Sequence, residues 1–401
     1  MKILVVLPYS PFPVRRGTGR LMMSLVEGLS SAHEVVFATM TFSAGESRAL
    51  EAALGAGIKA RSMVAPNKSG MAGKIYYRLK NTILAVFALV PMEVSYAAPG
   101  RFLDFIRAVA VEENVDLILA SYWHLYRLPG RLPSFRKILL THDIDFLIGP
   151  GKAALAGNFT RRTARRWDAF LRSRIEKKAY KSFDAVLTVT GRDAEALERS
   201  GLAAGKKIRP LPLALDLERF APGDIARDRD RILMTGTFHS DFNDDALRYF
   251  IGEVFPAVLE RRPSAVLRVV GEGVAADIIG NCGRNVEFLG YVEDIRESLA
   301  RCSLLVLPLR FAGGVRIRMM EAAAMAVPVV STPVGVEGMG LEAGREYLEA
   351  SGAAEMAAGI TALLEDPDLA ARTGLNARSW AERNISMRDY GERLARLISG
   401  I

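Results

Sequence analysis

"RILMTGT", residues 231–237, is a short β-rich apolar run ending at a glycine, and it restarts a pattern that the chain has already run once. The first run is "KILVVLP" (2–8), "EVVFATM" (34–40), "VDLILAS" (115–121), "KILLTHD" (137–143) and "DAVLTVT" (184–190), each followed by loop residues and a helix-length segment. Short apolar runs alternating with helical stretches predict βαβ units, and therefore a parallel, doubly wound α/β sheet. The second run continues through "AVLRVVG" (265–271), "VEFLG" (286–290), "SLLVLP" (303–308) and "VPVVST" (327–332). Two Rossmann-like domains are expected, since 401 residues exceed what one core usually holds. The charged, Pro- and Gly-containing "LERFAPGDIARDRD" (217–230) reads as the linker, so the domains are set at 1–219 and 220–384. A last amphipathic helix, "MRDYGERLARLISG" (387–400), falls in the remaining segment, 385–401.

Bulk properties narrow the function classes. Cys282 and Cys302 are the two cysteines, too few for a disulfide framework, and "MKILVVLPYS" does not read as a secretory leader, so a reduced, cytoplasmic setting is expected. The longest uncharged apolar stretch, "NTILAVFALVPM" (81–92), is shorter than the roughly 18 residues of a membrane span. Charge is uneven: residues 1–220 hold 33 Lys and Arg against 19 Asp and Glu, and the remainder 20 against 26. Much of the basic excess lies in "TRRTARRWDAFLRSRIEKKAYKSF" (160–183), where Trp167, Leu171, Ile175 and Ala179 recur every four residues as on the apolar stripe of a helix. The basic residues on the other faces are either plainly solvated or seated on an anionic membrane surface. No zinc-finger spacing or aromatic-basic pattern is present, and nucleic acid is not an expected partner.

The first glycine-bearing loop follows the first strand in "LPYSPFPVRRGTGRLMMSL" (7–25). Gly17 and Gly19 match half of a dinucleotide fingerprint, Met22 replaces its third glycine, and "EVVFATMTFS" ends in no acidic residue for a ribose. A dinucleotide oxidoreductase is therefore disfavoured. What remains is a loop of Gly17, Thr18, Gly19 and Arg20, beside Arg15 and Arg16, whose glycines allow close approach at the top of the first strand.

The strongest site signal is "RFAGGVRIRMMEAAAMAVPVVST" (310–332). A helix beginning near Gly314 would place Gly314, Arg318, Glu321 and Met325 on one face. Free N–H groups at such a helix start, with the helix dipole and Arg318, make an anion site suited to a diphosphate. Glu321 could accept hydrogen bonds from vicinal hydroxyls such as those of a ribose. Arg316 serves the phosphates only if it is still in the loop. A capped surface helix with an Arg–Glu pair is the alternative reading.

The chain resembles a family 4 glycosyltransferase of the two-Rossmann GT-B fold, and more narrowly the sugar transferases of bacterial polysaccharide and exosortase-associated clusters. The segments "GTFHSDFNDDALRYFIGEVFP" (236–256), "VVGEGV" (269–274), the long stretch 285–338 and "LALDLERFAP" (213–222) stand in the family's order. The resemblance implies two domains facing a central cleft, an acceptor-side place for the loop 17–20, a C-terminal helix returning to the N-terminal domain, and a C-terminal nucleotide-sugar site. That site would comprise Gly236, Gly271, Gly273, Gly313, Gly314, Arg316, Arg318 and Glu321. Gly313 stands where the broader family often has a second Glu, and the family's Arg and Lys after the first strand of this domain are missing from "GTFHSDFNDD". Arg316 and Arg318 are read as their substitutes. The family's Asn-Gly before the linker aspartate is replaced by Ala214 and Leu215.

In the N-terminal half, "KILLTHDIDF" ends a strand at Thr141, His142 and Asp143, where parallel sheets face ligands. The resemblance makes His142 a residue beside the donor sugar that assists transfer, with Asp143 as a weaker catalytic candidate; His124 and His239 are further cleft candidates and His33 a surface one. No metal-ligand cluster is legible, and no metal or other cofactor is expected. By resemblance the expected activity is retaining, metal-independent transfer of a sugar from a nucleotide-sugar donor to a polysaccharide or lipid-linked glycan at the inner membrane face. A GT-B nucleotide-sugar epimerase and a non-catalytic nucleotide-sugar-binding scaffold remain open.

Overall fold

The computed structural model describes residues 1–11, 17–54, 58–65, 89–146, 159–223 and 227–401. Arg15, Arg16 and most of the apolar stretch 81–92 lie outside the described residues. The chain divides into two compact units, Met1–Pro212 with Arg388–Ile401, and Leu213–Met387.

The first unit is built on seven parallel strands: β1 (Lys2–Leu7), β2 (Glu34–Thr41), β3 (Lys59–Val64), β4 (Leu117–Ser121), β5 (Arg136–Thr141), β6 (Ala185–Thr188) and β7 (Lys207–Pro210). Their order is β3-β2-β1-β4-β5-β6-β7. The strand "KILVVL" is buried from Ile3 onward, as a parallel strand covered on both faces must be. The helix Tyr390–Ser399 packs on the helix Gly17–Ser30 of this unit, burying Tyr390, Leu394 and Ile398.

The second unit repeats the plan with β8 (Arg231–Thr235), β9 (Val266–Val270), β10 (Val286–Gly290), β11 (Leu304–Leu307), β12 (Val329–Ser331) and β13 (Leu348–Glu349). The order is β10-β9-β8-β11-β12-β13, again parallel throughout. In both sheets the strand order reverses beside the first strand, which is the doubly wound arrangement that opens a ligand crevice at the carboxyl ends.

Two expectations are corrected. The start of the expected linker, residues 217–220, belongs to the second unit. Leu217 and Phe220 are buried in the second unit's core, Arg378 holds their carbonyls at 3.3 and 2.9 Å, and the boundary falls after Pro212. The stripe on the basic helix Phe159–Ser182 also loses its first member. Leu171, Ile175 and Ala179 are buried, but Trp167 is 45% exposed and stacks on Phe170, itself exposed, at 5.5 Å. At 100° per residue, a four-residue repeat drifts around the helix, and three turns carry its end away from the core. Among the described residues, no helix is long and apolar enough to cross a membrane.

Candidate functional site

The second sheet reverses between β8 and β11, so the loops leaving these two strands border its crevice. After β11 the chain runs through Gly313 and Gly314 to the helix Ile317–Ala324. The helix does not begin at Gly314. That glycine has φ +65°, in the left-handed region, and Arg316 occupies the N-cap position with non-helical backbone. Gly314 therefore lies off the helical face, and Met325 is the helix's C-cap. Arg318 and Glu321 remain three residues apart within the helix and share a side.

Arg316 is buried and folds back on its own loop, donating to the carbonyls of Gly313 and, at 2.6 Å, Gly314. Arg318 spans to the neighbouring strand, donating to the Thr235 carbonyl at the end of β8 and to Asn243 Oδ1 at 2.7 Å. Asn243 is itself buried and donates to the Thr237 carbonyl at 2.9 Å, which ties the loop after β8 to the loop after β11. The acceptors of Arg318, a backbone carbonyl and a side-chain amide oxygen, are neutral. Desolvation, with Arg316 close by, pushes Arg318 down to about 10, so its positive charge sits in a poorly solvated place. Glu321, 4% exposed, sits one turn further along.

The remaining glycines supply close approach. Gly271 has φ +138°, and a Cβ there would stand 1.7 Å from the Gly236 carbonyl oxygen. The backbones after β8 and β9 thus touch, with Gly236 N–H donating to Val270 at 3.0 Å and Phe238 N–H to Glu272 at 2.8 Å. The exposed His239 packs against Gly273. Arg310 is turned to other work, holding Asp245 at 2.9 and 2.5 Å and lying over the Tyr249 ring. The structure therefore brings together Gly236, Gly271, Gly273, Gly313, Gly314, Arg316, Arg318 and Glu321 around the second sheet's switch point.

In the first unit, β4 and β5 are neighbours, and the residues at and just after their carboxyl ends meet. His142 Nε2 lies 2.6 Å from Ser121 Oγ, and its ring tilts against Tyr122 at 4.4 Å between centroids. Burial holds His142 down to about 3, so its imidazole is neutral across the physiological range. Tyr122 has φ +75°, a strained setting for a residue with a Cβ. Met22 Sδ is 3.6 Å from Ser121 Oγ, which places the helix Gly17–Ser30 beside this group. The expected loop of Gly17, Thr18, Gly19 and Arg20 is instead the first turn of this helix, with Gly19 buried and Arg20 partly so. Asp143 is partly exposed, and its carbonyl accepts from Thr141 Oγ1 at 2.8 Å. His124 is buried, stacked on Trp123, 3.6 Å from a Glu93 oxygen. Among the described residues, no group of three His, Cys, Asp or Glu side chains is arranged to hold a metal ion.

Sequence reasoning missed Asn243, Ser121 and Tyr122. Asn243 left no local signal, because its partner is 75 residues away. Ser121 and Tyr122 were legible in principle, since "VDLILAS" and "KILLTHD" are consecutive strands expected to lie side by side.

Comparison with known proteins agrees with this architecture. Residues 16–214 match the family model described as a glycosyl transferase 4-like domain, and residues 229–366 the one described as glycosyl transferases group 1. A GDP-mannose-dependent alpha-(1-6)-phosphatidylinositol monomannoside mannosyltransferase of Mycolicibacterium smegmatis is 25% identical over 242 residues, covering 54% of this chain and 62% of that protein. Among solved structures, sucrose-phosphate synthase from Thermosynechococcus elongatus superposes with a TM-score of 0.72 at 18% identity, over 100% of this chain and 98% of that one. HepE from Anabaena, solved with UDP-glucose, superposes with a TM-score of 0.69 at 15% identity, covering 100% of both chains. With two Rossmann-like sheets and both family domains in order, the chain belongs to the group 1, family 4-like glycosyltransferases of GT-B fold.

Proposed function

We propose that this glycosyltransferase takes a nucleotide sugar as donor and transfers the sugar to a glycan or lipid-linked acceptor, with retention of configuration and without a metal ion. The observation that carries the reading is Arg318 at the switch point of the second sheet, desolvated and hydrogen-bonded to the neutral Thr235 carbonyl and Asn243 side-chain amide, with Arg316 and the glycine loop 313–314 beside it. The diphosphate is assigned to these guanidiniums and the loop 313–316, and the ribose hydroxyls to Glu321. Charge building on the departing nucleoside diphosphate is then met by fixed groups that need no reorganisation, the role a cation would otherwise fill. His142 is assigned to assist transfer as a neutral imbedded imidazole that exchanges hydrogen bonds. The basic first unit is assigned to the acceptor. Its exposed Trp167–Phe170 pair, beside the exposed Arg165 and Arg166, fits the headgroup region of an anionic leaflet, with the enzyme on the cytoplasmic side.

A thermal-shift series with UDP, GDP, UDP-glucose and GDP-mannose tests the donor site, because a ligand that binds only the folded state raises Tm. At least one should do so, equally with and without EDTA. A flat response to nucleoside diphosphates and their sugars would remove the reading. Nucleoside diphosphate release that proceeds to completion without acceptor, with an altered sugar as product, would make the protein an epimerase.

A further inference from the structure

The helix Phe159–Ser182 carries a fully buried carboxyl group, Glu176, for which the transfer reading has no use. Glu176 Oε1 accepts from the Asp145 amide at 2.8 Å, and Oε2 from the Phe146 amide at 2.7 Å. Tyr180, one turn on, donates to Oε1 at 2.6 Å and stands 3.3 Å from Thr141 Oγ1. Asp145 and Phe146 open a helical turn, so their amides have no carbonyl partner within it. A side chain from a different helix fills that need.

Residues 142–146, directly after β5, are thereby held. His142 is fixed at its ring by Ser121, the Asp143 carbonyl by Thr141, and the amides of 145 and 146 by Glu176. Trp123 Nε1 donates to Asp145 Oδ2 at 2.9 Å, and Arg172 of the same helix lies 3.9 Å from that oxygen. Burial raises the Glu176 carboxyl to about 8 against the pull of Tyr180 and the two amides. A carboxyl is costly in such a place, and a serine or aspartate in the turn itself would cap it at the surface. A buried clamp adds something a local cap does not, a fixed position relative to the core.

We propose that Glu176 is a positioning residue, which grips the Asp145 and Phe146 amides to fix the backbone after β5 and so aims His142 for transfer. The inference rests on the reading of His142 given above. Glu176→Gln keeps the volume but replaces one acceptor oxygen with a donor, so one of the two amide bonds is lost. With UDP-glucose and GDP-mannose as donors, the rate of nucleoside diphosphate release at saturation should fall about tenfold or more, with donor KM within about twofold. In a Trp167→Phe, Trp380→Phe background the same change should alter the Trp123 emission, because its partner Asp145 is released. Tyr180→Phe keeps both amide bonds and should leave that emission in place, with kcat within about threefold. Equal losses in kcat and donor affinity, or unchanged kcat with unchanged emission, overturn the proposal. Should Glu176→Gln fail to fold, hydrogen exchange on the parent protein decides. Amides of 145 and 146 that exchange as slowly as those of β5 support the clamp, and exchange at open-loop rates refutes it. A fully active His142→Ala variant would sink the role of His142 and the catalytic half of this proposal, while emission and exchange still judge the clamp.

Discussion

Arg318, partly buried and desolvated, and the buried Glu321 share one side of a short helix, where charge is expensive. In the proposed donor site an anion meets Arg318 and the ribose hydroxyls meet Glu321, and substitution at Glu321 tests that assignment. Glu321→Ala should weaken binding of UDP-glucose or GDP-mannose by about 1.5–3 kcal/mol, measured by calorimetry, while the far-UV spectrum stays unchanged. Unaltered affinity would show that Glu321 holds no ribose. His142 belongs to the other sheet and calls for a different pattern. His142→Ala should lower kcat by roughly a hundredfold with donor affinity held. Parallel losses in both would make it a donor-binding residue.

At the scale of elements, the loops after β8 and β9 are joined backbone to backbone, and Gly271 is the joint. Gly271→Ala forces a Cβ into the Gly236 carbonyl and an unfavourable φ together, so it should cost about 2–4 kcal/mol of stability and abolish donor-induced stabilisation. A variant with parental Tm would mean that the two loops separate freely. In the first unit, Glu113 at the end of the helix Gly100–Glu112 ties β1 and β3 through Lys2, Lys59 and Arg61. The Lys59 hydrogen bond, aided by Arg61 and Lys2 and opposed by burial, holds its carboxyl down to about 2. A depressed folded-state pKa stabilises above the unfolded value near 4.5 and loses that stabilisation as pH falls toward 2. Glu113→Gln should therefore cost about 1–3 kcal/mol at pH 7 and flatten the drop in Tm between pH 4.5 and 2. Parallel melting curves for variant and parent across that window would contradict the assignment.

For the whole molecule, the charge split sets an expectation about location. The first 220 residues hold the basic excess, and the helix Phe159–Ser182 presents Arg165, Arg166, Trp167 and Phe170 to solvent. The protein should sediment with anionic but not neutral liposomes, and salt should release it, since each basic residue at such a surface contributes about 1 kcal/mol within a Debye length. Replacing Arg165 and Arg166 by Gln, with Trp167 and Phe170 by Ala, should abolish sedimentation. A quadruple variant that pellets like its parent would direct the acceptor search to soluble glycans.

What the sequence alone determined was the repeat of strand and helix, two parallel sheets, and the short-range order of the donor loop, because these follow from periodicity and neighbouring residues. The start of the helix at Ile317 instead of Gly314 came from a side chain folding back and a left-handed glycine, neither of which periodicity reports. Tertiary structure decided what lies across the sheet: Asn243 under Arg318, Ser121 against His142, and Glu176 beneath the Asp145 amide. It also decided that residues 217–220 join the second core and that Trp167 leaves the first. Each of these depends on contacts between segments distant in the chain, where no local spacing encodes which partner a buried polar group will find.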